Sequence, residues 1–150
     1  MKFVILDVYP AKKHRLIKDT AGGYGTGNDF GDLTTTGTCS GGVASSTRGL
    51  WWGGRRPGGG TSNLHTTIQY VTISSTGNSF IFGDLTYRPT AGTGASNNTR
   101  GIFAGGYAPS DTATIEYIAF ATEGAAVDFG DLTDARGAGA AMANSHGGLG

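Results

Sequence analysis

The sequence has little charge and almost no cysteine, and both shortages exclude classes of function. Charged residues make up 15% of the 150 residues and the net charge is zero, so no strong field attracts nucleic acid or an anionic membrane. The single cysteine, Cys39, excludes an intrachain disulfide and a cysteine-based zinc site. We therefore expect no nucleic-acid or membrane partner, and we interpret Cys39 as a small, inert side chain.

Long apolar runs and catalytic motifs are missing as well. The apolar run at residues 3–6 is far shorter than a signal-peptide core of about 7 to 15 residues or a membrane span of about 20. No targeting segment is visible, which leaves both a virion and the cytoplasm open as locations. The three histidines lie in unrelated contexts, and no nucleophile, carboxylate-pair or metal-ligand motif occurs. We predict a protein that is not an enzyme, with no catalytic residue, metal ion or cofactor.

Glycine is abundant, at 28 residues, and it separates short runs of Ile, Val, Thr, Tyr and Phe that are typical of strands between turns. The string Phe-Gly-Asp-Leu-Thr occurs at 30–34, 82–86 and 129–133, so successive copies start 52 and 47 residues apart. A period near fifty favours blade-like β repeats. We predict a non-repeat segment at 1–29, followed by a repeat array at 30–150. Its repeats span 30–81, 82–128 and, in truncated form, 129–150.

Each repeat carries four strand patterns. An apolar run ends in a double glycine, an alternating Ile-x-Tyr segment follows, the approach to Phe-Gly-Asp-Leu is the third, and a small-residue stretch such as 135–143 is the fourth. In residues 67–73, alternate side chains point to opposite faces of a strand, and both sets include apolar residues. A sheet that neighbouring sheets cover on both faces needs such a pattern.

The order of these positions resembles the kelch repeat. Residues 101–106, Gly-Ile-Phe-Ala-Gly-Gly, are followed by Tyr117, Phe129 and Arg136, which match the family's apolar strand with its double glycine, its tyrosine, its large aromatic and its Arg- or Gly-rich strand. Phe129 stands where the family usually has tryptophan. The resemblance implies an all-β fold, an incomplete kelch-like β-propeller of about two and a half four-stranded antiparallel blades. The Gly/Thr-rich copies are also similar to repeats in structural or tail-fibre proteins of tailed phages.

The first segment has a different character. Residues 1–20 carry a net charge of +3 and residues 21–150 a net charge of −3. Residues 14–27 resemble the amino-terminal opening of cobalamin-dependent radical-SAM proteins, but the chain has one cysteine and no Asp-x-His-x2-Gly motif. No iron–sulfur, adenosylmethionine or cobalamin role therefore carries over. We interpret the junction near residue 29 as the joining of two unrelated coding segments, by recombination or by faulty assembly.

The candidate binding surface follows the double tryptophan, Trp51 and Trp52. The loop that begins with Arg55 and Arg56 and continues through 57–60 is five residues longer than its counterpart in the next repeat. Insertions in repeat proteins cluster on the face that binds partners. Strand alternation predicts that one of the two tryptophans is exposed, and two arginines beside it would hold a sugar or an acidic group. The alternative interpretation is a flexible, solvated loop.

Two kinds of charged residue recur once per repeat. Asp32, Asp84 and Asp131 either form a ring of carboxylates around a cation or bond nearby backbone N–H groups in a turn. We favour the turn, because one carboxylate per repeat cannot fill the six to eight ligand positions of calcium. Arg48 and Arg100 either contact a ligand or tie one blade to the next through a carboxylate or carbonyl. We favour the tie, with Asp84 and Asp131 as the predicted partners.

The number of repeats bears on the assembly. Two complete repeats and a truncated third fall short of the four to eight blades that close a propeller. We expect either a piece of a longer array or a protomer that completes a ring with copies of itself. The predicted function is a non-catalytic structural or binding module with a protein or glycan partner, as in a virion or tail-fibre-like protein. The alternative is a fragment of a cobalamin or radical-SAM enzyme amino terminus fused to repeats, without intact catalytic motifs.

Overall fold

The computed structural model describes residues 4–7, 15–18, 28–35, 37, 38, 41–56, 63–107 and 109–143, the first two ranges and residue 28 by their backbone only. The predictions made for Cys39, for the loop 57–60 and for residues beyond 143 lie outside the described residues. In the described part of the chain, no helix is long and apolar enough to cross a membrane.

The described residues form eleven β-strands and no α-helix, which confirms the predicted all-β class. The strands are β1 (Val4–Asp7), β2 (Arg15–Lys18), β3 (Asn28–Asp32), β4 (Gly41–Ala44), β5 (Arg48–Trp52), β6 (Thr67–Thr72), β7 (Phe80–Asp84), β8 (Thr93–Ser96), β9 (Arg100–Ala104), β10 (Thr114–Ala119) and β11 (Val127–Asp131).

These strands build three antiparallel sheets. The first sheet has the order β1-β2-β3, the middle sheet β4-β5-β6-β7 and the last sheet β8-β9-β10-β11. In the middle and last sheets, the four strands coincide with the four patterns predicted for each repeat. One predicted strand is wrong: residues 135–143 belong to no sheet. A strand needs a neighbour to bond its backbone groups, and among the described strands none pairs with this stretch, although Gly139 lies near the Thr93 side chain of β8.

Two strands of the first sheet come from the segment predicted to lie outside the repeat. β1 pairs with β2, and β2 pairs with β3, which contains the first residues of the repeated string. The boundary at residue 29 stays a prediction, since a strand can pair across it whatever the origin of the two segments. Backbone pairing depends on strand geometry more than on side-chain identity.

A β-bulge marks the same place in all three sheets. In the middle sheet Ile68 lies opposite Gly83 and Gln69 lies opposite Ile81, so Phe82 is the extra residue on β7. The last strands of the first and last sheets shift register at the same glycine of the string. A bulge kinks the strand and re-aims the side chain of the extra residue. The repeated phenylalanine is that residue in each sheet.

The bulge also joins neighbouring sheets. The Phe30 carbonyl accepts the N–H of Gly77 at 2.7 Å, and the Phe82 carbonyl accepts the N–H of Gly124 at 2.8 Å. A turn of the middle sheet and a turn of the last sheet therefore each lie against the last strand of the sheet before. A Cβ on Gly83 would overlap the carbonyl oxygen of Gly124, so this close approach requires glycine in the repeated string.

The middle sheet is buried on both faces. Trp52 packs against Phe103 of the last sheet with ring centroids 4.5 Å apart. Trp51 points the other way and packs in a cluster with Phe30 and Val71. Consecutive residues of a strand face opposite sides, and a neighbouring sheet covers each side here. The same covering on both sides explains why β6 carries apolar residues on both of its faces.

Candidate binding face

The two ends of the sheets differ in chemistry. The loop end is where β5, β7, β9 and β11 finish, and the turn end is where they begin. Connections at the turn end are short and carry mainly Ser, Thr and Asn. The loop end carries most of the exposed charge, including four arginines, and these are Arg55, Arg56, Arg88 and Arg136. Loops at one end of a β scaffold are the usual place for recognition.

Arg55 and Tyr107 occupy equivalent positions at the loop end. Each directly follows a double glycine, and the backbone of each forms an isolated bridge to a threonine of the connection before its sheet. The Gly54 N–H donates to the Pro89 carbonyl at 3.1 Å, so the connection after β5 lies against the connection that enters the last sheet. Both side chains are exposed, Tyr107 at 44%. The sequence analysis did not single out Tyr107, although its place after the double glycine signals the equivalence.

The expectation that one tryptophan is exposed is wrong. Trp51 is 9% exposed and Trp52 is 1% exposed, because the solvent that strand alternation assumes on one face is replaced by a second sheet. Arg55 and Arg56 are both exposed. Of the four residues predicted to form a binding surface, the structure thus leaves the two arginines accessible. Their binding of a ligand stays a prediction.

The three repeated aspartates each end the last strand of a sheet. For Asp84, Oδ1 accepts a hydrogen bond from the Thr66 hydroxyl at 2.8 Å. This carboxylate therefore contacts the connection before β6, and not the N–H groups of its own turn as predicted. The Asp32 N–H donates to Asn78 Oδ1 at 2.9 Å, and Asp131 is exposed. No three His, Cys, Asp or Glu side chains among the described residues are grouped to hold a metal ion.

Arg48 links the middle sheet to the last sheet. Its Nη1 donates to the Phe120 carbonyl at 2.7 Å, and its Nη2 lies 3.5 Å from Glu123 Oε1. These partners replace the predicted Asp84 and Asp131. The reason is position: Arg48 begins β5 at the turn end, whereas both aspartates finish their strands at the loop end.

Arg100 repeats only part of this arrangement. Its guanidinium lies 5.1 Å from the centroid of the Tyr117 ring, as that of Arg48 lies 4.7 Å from the centroid of Tyr70. Within the described ranges, the Arg100 guanidinium makes no ion pair and no bond to a carbonyl, because no sheet follows the last one there. The bonds that Arg48 makes to the next sheet therefore have no counterpart at Arg100 among the described residues, because they need a following sheet.

Two buried polar side chains bind backbone N–H groups at the end of the repeated string or directly after it. Gln69 Oε1 accepts the Thr35 N–H at 2.9 Å, and Glu116 Oε1 accepts the Thr86 N–H at 2.9 Å. Gln69 and Glu116 are 1% and 0% exposed, and buried polar groups need such partners. The sequence analysis missed them. The sequence offered one signal: the middle residue of the Ile-x-Tyr pattern is polar in both repeats.

Burial shifts two titratable groups near the loop end. Burial first, and then the positive charge of Arg56, lower the pKa of His65. Burial and the Glu116 carboxylate raise the pKa of Tyr87, whose hydroxyl donates to the Gly105 carbonyl at 2.8 Å. Both side chains are therefore neutral near pH 7, and the charge of the loop end comes from its arginines and aspartates.

A groove of about 380 Å³ runs beside Trp51 between β4, β5 and β8. Small residues dominate its lining, and it contains no charged side chain. Ligand sites need a few placed polar groups to fix orientation, which the groove lacks apart from backbone and one serine. The loop end is therefore the better candidate for recognition.

Comparison with known proteins gives no family for this chain. No protein-family model matches it, and no curated protein matches it at a significant level.

Proposed function

We propose that this protein is a non-catalytic structural or binding module built from kelch-like β-propeller blades. The support is the repetition of one sheet design: the middle and last sheets have the same strand order and the same bulge. The two sheets pack face to face through Trp52 and Phe103 and are linked by Arg48. Blades of a propeller pack in this manner, and repeat proteins work through the surface that their repeats present.

The observation that carries a binding function is the exposed set Arg55, Arg56 and Tyr107 on neighbouring sheets of the loop end. Guanidinium groups donate paired hydrogen bonds to carboxylates. A tyrosine ring offers a flat apolar face and a polar hydroxyl. An acidic glycan presents both chemistries, a carboxylate and the apolar face of a sugar ring. We therefore infer that the loop end binds acidic glycans, and a protein partner is the other outcome of the test.

A glycan array with the full chain tests this function. The double variant Arg55→Ala/Arg56→Ala should weaken binding of the acidic glycans more than tenfold, because each hydrogen bond to a charged group contributes about 1.5–3 kcal/mol. The matched control is Arg100→Ala at the turn end, which should leave affinity unchanged. An array without acidic glycan signals, or equal affinity for the double variant, would refute the glycan proposal and favour a protein partner.

The structural form of the proposal is a scaffold in a virion or tail-fibre-like protein. Its support is the resemblance of the Gly/Thr-rich repeats to those of tailed-phage structural proteins. The neighbouring genes discriminate between the forms: tail and capsid genes favour the scaffold, and radical-SAM biosynthetic genes favour the fragment of an enzyme amino terminus. Purified particles that lack the protein would count against the scaffold.

A further inference from the structure

The first sheet corresponds to three of the four strands of the other sheets. β2 places Leu16 opposite Gly31 on β3 and shifts register directly afterwards, as β6 places Ile68 opposite Gly83 on β7. β1 lies beside β2 as β5 lies beside β6. The first sheet therefore matches β5-β6-β7, and among the described strands none holds the place of β4 beside β1.

Residues 140–143 stand where a strand like β4 is expected. β4 and β8 each begin eleven residues after the phenylalanine of the repeated string, and Ala140 stands eleven residues after Phe129. Met142 is 97% exposed, whereas Val43 at the same position of β4 is 7% exposed. This stretch has the place of an innermost strand and, in the described chain, no sheet to join.

The surface beyond β11 is uncovered in the same way. Phe129 is 55% exposed, whereas Phe82 is 3% exposed beneath the following sheet. Around Gly130 there is open space where a Cβ would stand, but at Gly83 a turn of the following sheet fills that space. The last sheet therefore presents to solvent the surface through which the middle sheet binds its neighbour.

We propose that a second copy of this chain completes both features, an inference that rests on the blade function proposed above. Residues 140–143 of one copy add the fourth strand to β1 of the other, and the completed sheet covers Phe129. The eleven described strands and this segment make twelve, so the described residues of two copies supply six four-stranded blades, within the four to eight that close a propeller. The described strands of one copy supply only three blades and those of three copies nine, and both numbers lie outside that range.

The registers already present fix the pairing. In the middle sheet, the first residue of β4 lies opposite the last residue of β5, which lies opposite the second residue of β6. In the first sheet, Leu6 lies opposite the second residue of β2. Ala140 should therefore lie opposite Leu6 of the partner subunit. The following pairs are Ala141 with Ile5 of the partner subunit and Met142 with Val4 of the partner subunit.

Cysteine cross-linking of the full chain tests this register. Ile5→Cys and Ala141→Cys are combined with Cys39→Ser and oxidised in dilute solution. Opposed residues of antiparallel strands have Cα atoms about 4.5–5.5 Å apart, within disulfide range. We expect a disulfide-linked dimer of twice 15.3 kDa. The matched control combines Asp7→Cys with Ala141→Cys, which moves one cysteine two residues along β1. The two Cα atoms would then lie beyond the roughly 7 Å limit for a disulfide, so this variant should not cross-link.

Light scattering of the unaltered chain supplies the second measurement, with an expected mass of twice 15.3 kDa. Ala141→Pro/Met142→Pro removes two adjacent N–H groups, so pairing with β1 is lost and the mass should halve. Met142→Ala keeps both N–H groups and should keep the dimer. A monomeric unaltered chain, a disulfide within one chain, or a ladder of oligomers would overturn the proposal. A monomer that binds glycans would refute the dimer but leave the proposed glycan binding intact. A dimer that binds no glycan would support the dimer and refute the glycan binding.

Discussion

Phe82 and Phe129 allow one substitution to be compared in two surroundings of the same motif. Phe82 is 3% exposed and lies edge-to-face on Tyr70 with ring centroids 5.9 Å apart. Phe82→Ala removes a buried ring and leaves a cavity, so we expect a loss of about 3–5 kcal/mol in the free energy of unfolding. Phe129 makes a similar contact with Tyr117 at 5.9 Å but is 55% exposed. Phe129→Ala loses less than half of that burial, about 1 kcal/mol.

Urea unfolding followed by tryptophan fluorescence measures both losses, since both tryptophans are buried in the middle sheet. The titrations are repeated at falling protein concentration until the midpoint is constant, so that the values refer to the monomer. Phe82→Ala should lower the midpoint much further than Phe129→Ala, with an unchanged slope. Equal losses, or a larger loss for Phe129→Ala in the monomer, would refute the reasoning. The phenylalanine of the repeated string would then stabilise the fold through contacts within its own sheet and not through contacts with the sheet that covers it.

Two further predictions concern the close approach of the sheets and the pH dependence of stability. Gly83→Ala should lower the free energy of unfolding by about 1–3 kcal/mol or more, because its Cβ overlaps a backbone carbonyl of the facing turn. Gly49→Ala, whose Cβ would meet side-chain atoms at ordinary contact distances, should be neutral or gain up to about 1 kcal/mol in urea unfolding, and a comparable loss at both positions would contradict the assignment. Because the pKa of His65 is lowered from 6.5 in the folded state, the unfolded state binds the proton more readily. His65 therefore contributes its full stability above pH 6.5 and loses it as the pH falls towards the folded pKa. Thermal unfolding between pH 5 and 8 should show this decline and His65→Gln should reduce it, while an unchanged decline in the variant would assign it to other groups.

Part of the candidate site was readable from the sequence. An insertion that carries Arg55 and Arg56 predicts exposed charge, because such side chains are rarely buried without a partner, and both are exposed in the structure. The tryptophans were misjudged, because alternation along a strand tells which residues share a face but not what covers that face. Tyr107 joins the arginines only through the bridges and hydrogen bonds that set neighbouring connections side by side.

The partners of Arg48 show the same limit. Recurrence once per repeat predicts a structural tie, but the choice between the aspartates of the repeated string and the Phe120 carbonyl with Glu123 depends on which end of the sheet β5 begins. Strand direction within a sheet follows from the order of pairing, which involves residues far apart in the chain. A sequence period alone does not carry that information.

The sequence by itself determined the period and the four strand patterns that the middle and last sheets contain, because these depend on local side-chain alternation and on turn glycines. Only the tertiary structure decided what each face meets. The same phenylalanine of the repeated string is buried at residues 30 and 82 and exposed at residue 129, because a following sheet covers the first two. The tertiary structure also showed that β1 and β2 pair beside β3, although their sequence lacks the repeat pattern. Backbone hydrogen bonds can pair strands of very different sequence.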